Sequence, residues 1–333
     1  MSDIGEFGLI DLLARLVAEE GPPAPEAADF RLRLGIGDDA AAWQVGRGTE
    51  VFTTDTAVQG VHFTLASTPW RNLGWKIMVA NLSDIAAMGG EPLYTLVTLG
   101  LPPDTPVADM EELYRGMLEA CREYKTAIVG GDVVGSPVAF VTVALTGVCQ
   151  SSRLLTRSAA REGDVVAVTG TVGSPAGGLQ VLVHGALVST EARQHLVEAH
   201  RHPHPRLVEG RVLARAGVRC AMDVSDGLVD DLSKLCLVSG VGARVEAERV
   251  PVHPLLRKAF PQDYLRMALH GGEEYELLFT GPEELVRPLL AELLTTATII
   301  GRVVADTPGH VVVVDGSGRE LAPSGAGWDH FRA

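Results

Sequence analysis

The sequence predicts a two-domain protein whose N-terminal half is a small α+β domain, and three observations support this. The chain has 333 residues, 46% of them hydrophobic, which allows large buried cores and at this length favours two domains over one. The first half combines strand-like runs with long helical patterns. A second series of strands and helices begins near Arg153. We therefore place the boundary at about residues 149–153, which divides the chain into 1–150 and 151–333.

The first half opens with Phe7, Ile10, Leu13 and Val17 at helical spacing, before a Gly/Pro/Ala-rich stretch over residues 21–28. Further helices are predicted at 69–88 and 106–124, and strands at 50–54, 93–99, 127–129 and 138–148. Both helices begin with the order Thr-Pro, which is typical of a capping residue followed by a first-turn proline. These elements predict the α+β character.

The second half contains predicted strands at 164–169, 221–224, 243–246, 277–280, 299–304 and 310–314, and helices at 178–184, 191–200 and 205–216. No fixed-period repeat is present, although each half contains one Ser-Asp pair, at residues 83–84 and 225–226.

Charge and composition exclude several classes of protein. The formal net charge of −14 opposes binding to nucleic acid or to an anionic membrane. The four cysteines show no CxxC pair or zinc-like spacing and are expected to be reduced thiols. The N-terminus lacks the basic start of a secretory signal, and no apolar run reaches the roughly 18 residues of a membrane span. We expect a cytoplasmic protein.

Five Asp-bearing segments interrupt apolar stretches, and they carry the chemical hypothesis. They are GIGDDA (35–40), FTTDT (52–56), NLSDIAAMGG (81–90), VGGDVV (129–134) and MDVSDGL (222–228). Asp84 shares a helical stripe with Leu73, Ile77, Asn81 and Met88, so it is predicted to face the buried side. A carboxylate there needs a cation, because burying it unpaired costs several kcal/mol.

The other aspartates could reach the same place. Asp55 is expected to end a strand, Asp132 to follow a Gly-Gly turn, and Asp39 to lie in a glycine-flanked turn. Clustered carboxylates suit magnesium, which also binds phosphate oxygens. Each segment alone is more simply explained as a turn, or, for Ser225 and Asp226, as a helix cap. Together they favour a multi-metal phosphate site.

No established phosphate-binding motif accompanies these acids. GxxxxGK[ST] and the HRD and DFG set of protein kinases are absent. The segment TGTVGSPAGGL (169–179) could approach a phosphate with its backbone, but a packing turn is the commoner explanation. Arg157 in LTRSA could pair with phosphate oxygens or lie on the surface.

The remaining polar candidates are weaker. HRHPHP (200–205) is interpreted as a solvated linker, because its two prolines break helical spacing. His62 could contact a phosphate ester, with a structural histidine as the default. Glu273 in GGEEYELLF could face a cleft or solvent. GWDHF (327–331) could be a hydrophobic anchor or an aromatic face for a ligand ring.

Taken in order, the motifs resemble those of the thiamine-monophosphate kinase family. They are GEF (5–7), GIGDDA, TTDT, His62-Phe63, NLSDIAAMG, GGD, LTRS, DVSDGL, GGEEYEL and GWDHF, and they span residues 5–331. The resemblance implies the fold of aminoimidazole ribonucleotide synthetase, with an N-terminal α+β domain that dimerises through its sheet and a C-terminal α/β domain packed against it.

The resemblance also implies roles for individual residues. Implied magnesium ligands are Asp39, Thr53, Thr54, Asp55, Asp84, Asp132, Asp223 and Asp226. Implied ATP contacts are Tyr114, Gly131, Asp132, Arg157 and Ser225, and implied acceptor contacts are His62, Glu273 and Trp328. The family pattern is GEDYEL, and this sequence has Glu274 where the pattern has Asp. Tyr114 has no motif around it.

The implied reaction is transfer of a phosphoryl group from ATP to thiamine monophosphate. Such transfer needs alignment and charge neutralisation, which magnesium held mainly by Asp39, Asp55, Asp84 and Asp132 would supply. A phosphate acceptor is already ionised, so we expect direct transfer without a phosphoenzyme. Two alternatives stay open: a synthetase of the same superfamily that phosphorylates a carbonyl or amide oxygen, and a non-catalytic nucleotide and metal sensor.

Overall fold

A computed structural model describes residues 30–34, 39, 41–45, 48–150 and 154–321. The predicted helix over residues 7–19, the GEF and GWDHF motifs and Trp328 lie outside this range. Two six-stranded sheets form the framework, one from each half of the chain. The predicted fold class, an α+β N-terminal domain with a C-terminal α/β domain, is confirmed.

The first sheet has the order β1-β2-β3-β6-β4-β5. Its strands are β1 (Phe30–Leu34), β2 (Ala41–Val45), β3 (Gly48–Val58), β4 (Glu91–Leu101), β5 (Ala127–Gly135) and β6 (Phe140–Cys149). The pairs are antiparallel except β4 with β5. In β6 every second residue is buried, as expected of a sheet with one face on the core.

Strands β3, β4 and β5 are longer than the sequence predicts, and in β3 and β5 the difference changes the position of a candidate aspartate. Asp55 was expected to end a strand, but β3 continues to Val58, because Asp55 to Val58 pair with Val143 to Phe140. Asp132 was expected to follow a Gly-Gly turn, but both glycines and Asp132 lie within β5, where Asp132 pairs with Thr98. Long-range pairing with β6 and β4 therefore extends both strands beyond their local apolar signal.

Helix α1 (Trp70–Ala87) is the central element of the molecule. It contacts α2 (Val107–Tyr124), strands β3 and β6, and from the second half β8 and α5. Glycines allow two of these approaches: a Cβ at Gly116 would lie 1.8 Å from Arg71 O, and one at Gly210 would lie 2.0 Å from Ala86 O. The helix is consequently buried on nearly all sides, beyond the single stripe that its spacing predicts.

Both N-terminal helices begin one residue later than predicted. Pro69 and Pro106 occupy the N-cap positions, and no side-chain hydrogen bond caps either helix. The Thr-Pro pairs were therefore wrongly interpreted as cap and first turn.

The second sheet has the order β12-β9-β11-β7-β10-β8 and is antiparallel except for β12 with β9. Its strands are β7 (Val165–Thr169), β8 (Cys220–Asp223), β9 (Gly242–Glu246), β10 (Leu277–Gly281), β11 (Ala297–Val304) and β12 (Val311–Val314). The helices of this half are α3 (Ser174–Val183), α4 (Thr190–Arg201), α5 (Leu207–Ala216), α6 (Leu228–Ser239), α7 (Pro254–Ala259), α8 (Tyr264–His270) and α9 (Glu283–Leu289).

The segment HRHPHP joins the two halves, so its interpretation as a solvated linker is wrong. Trp75 in α1 stacks on His202 with ring centroids 3.7 Å apart, and its Nε1 donates to Pro203 O at 2.7 Å. His204 Nδ1 lies 2.9 Å from the Tyr124 hydroxyl. The prolines stop the helix and turn the histidine rings onto an aromatic surface of the first half. Local spacing could not show this partner surface.

No helix among the residues that the structure describes is long and apolar enough to span a membrane. The four cysteines are buried and form no disulfide.

Candidate active site

A cleft of about 660 Å³ lies where the two halves meet. Its walls come from β3 with the loop after it, from α1, and in the second half from α3, α8 and the segments around Asp226 and Glu273. Both apolar and charged side chains line it. The cleft is thus large enough for a small molecule and is built by elements far apart in the sequence.

Three carboxylates converge beside this cleft. Oxygens of Asp39, Asp84 and Asp223 all lie within 4.8 Å of one another, from the turn before β2, the last turn of α1 and the end of β8. Contact between α1 and β8 brings the second half's Asp223 to the first half's Asp84. The packing of the two halves therefore creates an acidic centre that neither half contains alone.

Burial strongly affects these acids. Burial raises the pKa of Asp84 well above its usual value, and the charges of Asp55 and Asp223 raise it further, while a hydrogen bond from Thr53 lowers it. Burial raises the pKa of Asp223 to about 7, with Asp231 adding to the rise and Ser83 and Arg157 opposing it. Burial, with the charge of Asp226, raises the pKa of Asp55 to about 6. Ionising these carboxylates is thus costly unless a cation lies beside them.

These residues fit a divalent magnesium ion. Their donors are carboxylate oxygens, which hard cations prefer. A cation among them would offset the burial and the repulsion that raise their pKa values. The Arg157 guanidinium pairs with Asp39 and supplies part of the positive charge. Because Arg157 is also a phosphate-binding candidate, the structure places that candidate directly at the acidic centre.

The two neighbouring threonines of β3 point to opposite faces of the sheet. The Thr53 hydroxyl donates to Asp84 Oδ2 and lies within the centre. The Thr54 hydroxyl donates to Val143 O at 2.9 Å, and its side chain is exposed. The structure therefore groups Thr53 with the acids and does not bring the Thr54 side chain to them. A metal contact by Thr54, which the family resemblance implies, would therefore have to come from its main-chain carbonyl.

The Ser225–Gly227 loop is held from behind by a buried carboxylate. Asp231 Oδ2 accepts the backbone N–H groups of Ser225, Asp226 and Gly227 at 3.0, 3.0 and 3.1 Å. Lys234 Nζ lies 2.8 Å from Asp231 Oδ1 and also pairs with Asp226. Gly227 occupies the N-cap of α6. The alternative of Ser225 or Asp226 as the cap is therefore wrong, and both side chains line the cleft.

Glu273 stands on the cleft wall at the junction of the halves. Lys76 Nζ, from α1, lies 2.5 Å from its Oε1, and His200 Nδ1, from α4, lies 3.3 Å from its Oε2. Burial alone would raise the pKa of Glu273, but Lys76 and His200 together lower it to about 2. The sequence left open whether Glu273 faces a cleft or solvent, and the structure places it in the cleft.

The glycine-rich segment is a packing turn. Gly173 N donates to Glu274 Oε1, and a Cβ at Gly173 would lie 2.9 Å from Ala268 N. Glu276 of the same motif forms a bidentate pair with Arg206 at 2.6 and 2.5 Å. Helix α3 also begins here at Ser174, four residues before the prediction. Glu274 of the GGEEYEL motif therefore stabilises the turn at Gly173. Because it already accepts the Gly173 N–H, that N–H is not available to a phosphate.

The remaining candidates are more dispersed. His62 lines the cleft, and its Nδ1 accepts from Val58 N at 3.0 Å. Gly131 lies in β5, where a Cβ would come 1.9 Å from Val97 O. Asp132 is exposed in the same strand and accepts from Val133 N at 2.9 Å. Tyr114 is half-buried in α2 and packs on the core. Among the described residues, these last three do not join the three-carboxylate group.

Sequence reasoning missed Asp231, Lys234 and Lys76, and it placed His200 in a solvated linker. Two signals were available. Asp231 lies in the first turn of a helix, where acids commonly bind backbone N–H groups. Lys76 is a charged residue within the apolar run WKIMVA, and buried lysines need a partner.

The chain matches the two domains of a known family. Residues 37–150 match the AIR synthase related protein, N-terminal domain, and residues 161–314 match the corresponding C-terminal domain. The chain belongs to the AIR synthase related family.

Full-length relatives narrow this assignment. A thiamine-monophosphate kinase of Aquifex aeolicus is 34% identical over 99% of both chains, and that of Escherichia coli K12 is 36% identical over 90% of this chain and 92% of its own length. The solved structure of AaThiL complexed with AMPPCP and TMP is 33% identical, covers 99% of this chain and 98% of that chain, and has a TM-score of 0.85. Within the larger family, the chain belongs to the thiamine-monophosphate kinases.

Proposed function

We propose that this chain transfers the γ-phosphoryl group of ATP to thiamine monophosphate and releases thiamine diphosphate and ADP. The observation that carries the proposal is the convergence of Asp39, Asp84 and Asp223 beside the 660 Å³ cleft. Two phosphate-bearing substrates repel each other, and the excess negative charge of this centre suits the cations that would screen them. The relatives named thiamine-monophosphate kinase supply the identity of the acceptor.

Magnesium would be held by the carboxylates of Asp39, Asp55, Asp84, Asp132, Asp223 and Asp226, with oxygen atoms of Thr53 and Thr54. When bound, it would neutralise the charge that develops on the phosphoryl oxygens. The chain's own residues fix the donors: Thr53 binds Asp84, and Asp231 with Lys234 holds the loop that carries Asp226.

For the substrates, we propose ATP contacts at Tyr114, Gly131, Asp132, Arg157 and Ser225. Arg157 would exchange its pairing with Asp39 for the ATP phosphates, because its planar group matches phosphate oxygens. We propose acceptor contacts at His62 and Glu273, which line the cleft, and at Trp328. The acceptor oxygen is already ionised near neutral pH, so direct in-line transfer needs no phosphoenzyme.

The test is to incubate the purified chain with ATP and thiamine monophosphate, with and without magnesium, and to measure ADP and thiamine diphosphate. The proposal expects equal amounts of both products, only with magnesium. ADP released without thiamine diphosphate would favour a synthetase acting on another acceptor. Binding of ATP without turnover of any acceptor would favour a sensor. Either result would reject the proposed reaction.

We also propose a homodimer formed through the first sheet. The edge strand β5 is exposed along nearly its whole length, and Tyr94, Leu96, Val129 and Val133 are between 47% and 65% exposed. An unpaired edge with such side chains favours association with another copy. Sedimentation at micromolar concentration should give twice the 35.3 kDa chain mass. A purely monomeric species would reject the dimer.

Two organisational proposals remain. The matched family segments end at residue 150 and resume at 161, which supports a boundary between 1–150 and 151–333.

The four cysteines without a disulfide suit a reducing compartment, so we propose that the chain acts in the cytoplasm, on small molecules rather than on nucleic acid or membrane.

A further inference from the structure

Glu273 is held more rigidly than a surface glutamate on a cleft wall would be. Its φ of +66° is in the left-handed region, which non-glycine residues seldom adopt. Its N–H donates to Ser225 O at 2.7 Å, and Tyr275, also at positive φ, donates to Val224 O at 2.9 Å. Two long-range hydrogen bonds thus maintain an unfavourable backbone. Strain retained in this way is typical of functional positions.

The side chain is fixed as firmly as the backbone. Lys76 is 8% exposed and His200 is 3% exposed, and each approaches a different oxygen of the Glu273 carboxylate. The Glu273 side chain itself keeps 35% of its surface exposed. Each carboxylate oxygen has two acceptor sites, so both oxygens retain capacity for a ligand in the cleft.

The sign of this charge selects which part of the acceptor Glu273 can contact. A carboxylate repels a phosphate and attracts a cation, and thiamine carries a positive thiazolium ring. Asp55 and Asp226 line the same cleft and belong to the proposed phosphate-handling end. Apolar side chains such as Phe63, Leu73 and Ile77 also line it and suit the flat ring system.

We propose that Lys76 and His200 are positioning residues that fix the Glu273 carboxylate against the cationic thiamine part of the acceptor. The proposal rests on the proposed function and assigns a task to Lys76 and His200, neither of which the family resemblance implies as a site residue. Since Lys76 comes from the first half and Glu273 from the second, the contact also makes acceptor recognition depend on the docking of the halves. The pKa of Glu273, lowered to about 2, supports a carboxylate that stays ionised throughout the working range.

An ion pair elsewhere on the same junction provides a matched control. Arg211 of α5 lies 3.0 Å from Glu91 of β4, so this pair also joins the two halves, and neither residue lines the cleft. Lys76→Met removes a charge from the cleft pair, and Arg211→Met removes one from the distant pair. A contact that only holds the halves together predicts the same kind of effect from both changes.

The experiment measures Michaelis constants for both substrates, the melting temperature, and calorimetric binding of unphosphorylated thiamine without ATP. Misplacing a contact group by about 1 Å can cost up to about 100-fold, so Lys76→Met should raise the Michaelis constant for thiamine monophosphate and the thiamine Kd by about 10-fold or more. The value for ATP should change less than about 2-fold. Lys76→Arg should restore most of the acceptor affinity. Arg211→Met should leave both Michaelis constants and the thiamine Kd near their wild-type values.

The results separate failure of this inference from failure of the proposed function. If wild type phosphorylates thiamine monophosphate but Lys76→Met lowers only kcat or stability, the positioning role is wrong. The Lys76–Glu273 ion pair then only holds the two halves together. If wild type does not turn over this acceptor, the proposed function itself fails. Should Lys76→Met not fold, His200→Leu removes at similar volume the imidazole whose Nδ1 lies 3.3 Å from Glu273 Oε2. It should raise the acceptor's Michaelis constant by about 3-fold or more, because a displaced contact group binds its ligand less well. An unchanged value there also overturns the proposal.

Discussion

Two regions of this molecule contain candidate metal-binding aspartates, and the structure treats them differently. Asp39, Asp84 and Asp223 converge at the junction of the two halves, where burial and mutual repulsion raise the pKa values of Asp84 and Asp223. Asp132 lies on the edge strand β5, exposed to solvent, and accepts a hydrogen bond from the next residue. The same residue type is electrostatically destabilised at the junction and exposed to solvent on β5.

The comparison shows what makes an acidic residue a strong candidate for metal binding. Exposed carboxylates are commonplace, and solvent screens their interactions. A buried group of carboxylates destabilises the fold unless a cation compensates it, so its retention is better explained by ligand binding. The junction is therefore the better supported part of the proposed site. Asp132 on β5 would contribute to the site only when ATP or a second subunit binds there.

The largest effect is expected from Asp84→Asn. The amide keeps the volume and can still accept from Thr53, but it loses the charge that attracts magnesium. Metal-assisted charge stabilisation is worth several kcal/mol, so turnover should fall by roughly a thousandfold. Without metal, the variant should melt at a higher temperature than wild type, because a repelling charge is gone. Near-normal turnover with unchanged magnesium dependence would contradict this role.

The second expected effect is a pH dependence of stability in the metal-free chain. The pKa of Asp55 is raised to about 6 and that of Asp223 to about 7, above an unfolded value near 3.8. Between these limits the folded chain binds more protons than the unfolded chain, so stability falls as pH rises from about 4 to about 7. For Asp55 alone the loss is on the order of 3 kcal/mol.

Denaturant titrations between pH 5 and pH 8, with and without a chelator, measure this effect. The chelated chain should remain folded but should be less stable at pH 8, and magnesium should restore stability mainly above pH 7, by about 2.7 kcal/mol at 100 times its Kd. Stability that rises with pH in the chelated chain would contradict the charge balance described for the junction.

The adjacent threonines allow a test at single-residue resolution. Thr53→Val removes the hydroxyl that binds Asp84, and Thr54→Val removes one that binds Val143 O on the other face. Hydrogen bonds to charged groups contribute about 1.5–3 kcal/mol, so Thr53→Val should lower turnover by about 10-fold or more. Thr54→Val should change it by less than about 2-fold if only its carbonyl contributes. Equal losses would show that the Thr54 hydroxyl also serves the site.

Among the aspartates, the smaller effect is expected from Asp132→Asn. Exposed charges contribute up to about 1 kcal/mol, so turnover should fall by less than about 5-fold, far less than for Asp84→Asn. The comparison is best made at saturating and at limiting ATP, because Asp132 is a proposed ATP contact. A loss as large as that of Asp84→Asn would show that β5 is brought into the centre when the substrates or a second subunit bind.

Trp328 lies outside the described residues, and its proposed contact with the thiazolium ring depends on the resemblance. Stacking and cation–π contacts contribute on the order of 0.5–2 kcal/mol, so Trp328→Ala should raise the acceptor's Michaelis constant by roughly 2- to 30-fold and leave that of ATP unchanged. A lower melting temperature with both constants unchanged would identify Trp328 as a hydrophobic anchor instead.

The sequence by itself determined the family, the two-part organisation and the position of most helices and strands, because periodicity and turn residues act locally. It also marked Asp84 as a buried acid from the spacing of one helical stripe. Tertiary structure decided which acids meet: Asp223 reaches Asp84 only because α1 packs on β8, and Thr53 rather than Thr54 faces them because of the sheet. It likewise paired Lys76 with Glu273 and seated His202 on Trp75, contacts between residues more than a hundred positions apart. Local patterns carry no record of such partners, since burial and charge compensation are properties of the assembled fold.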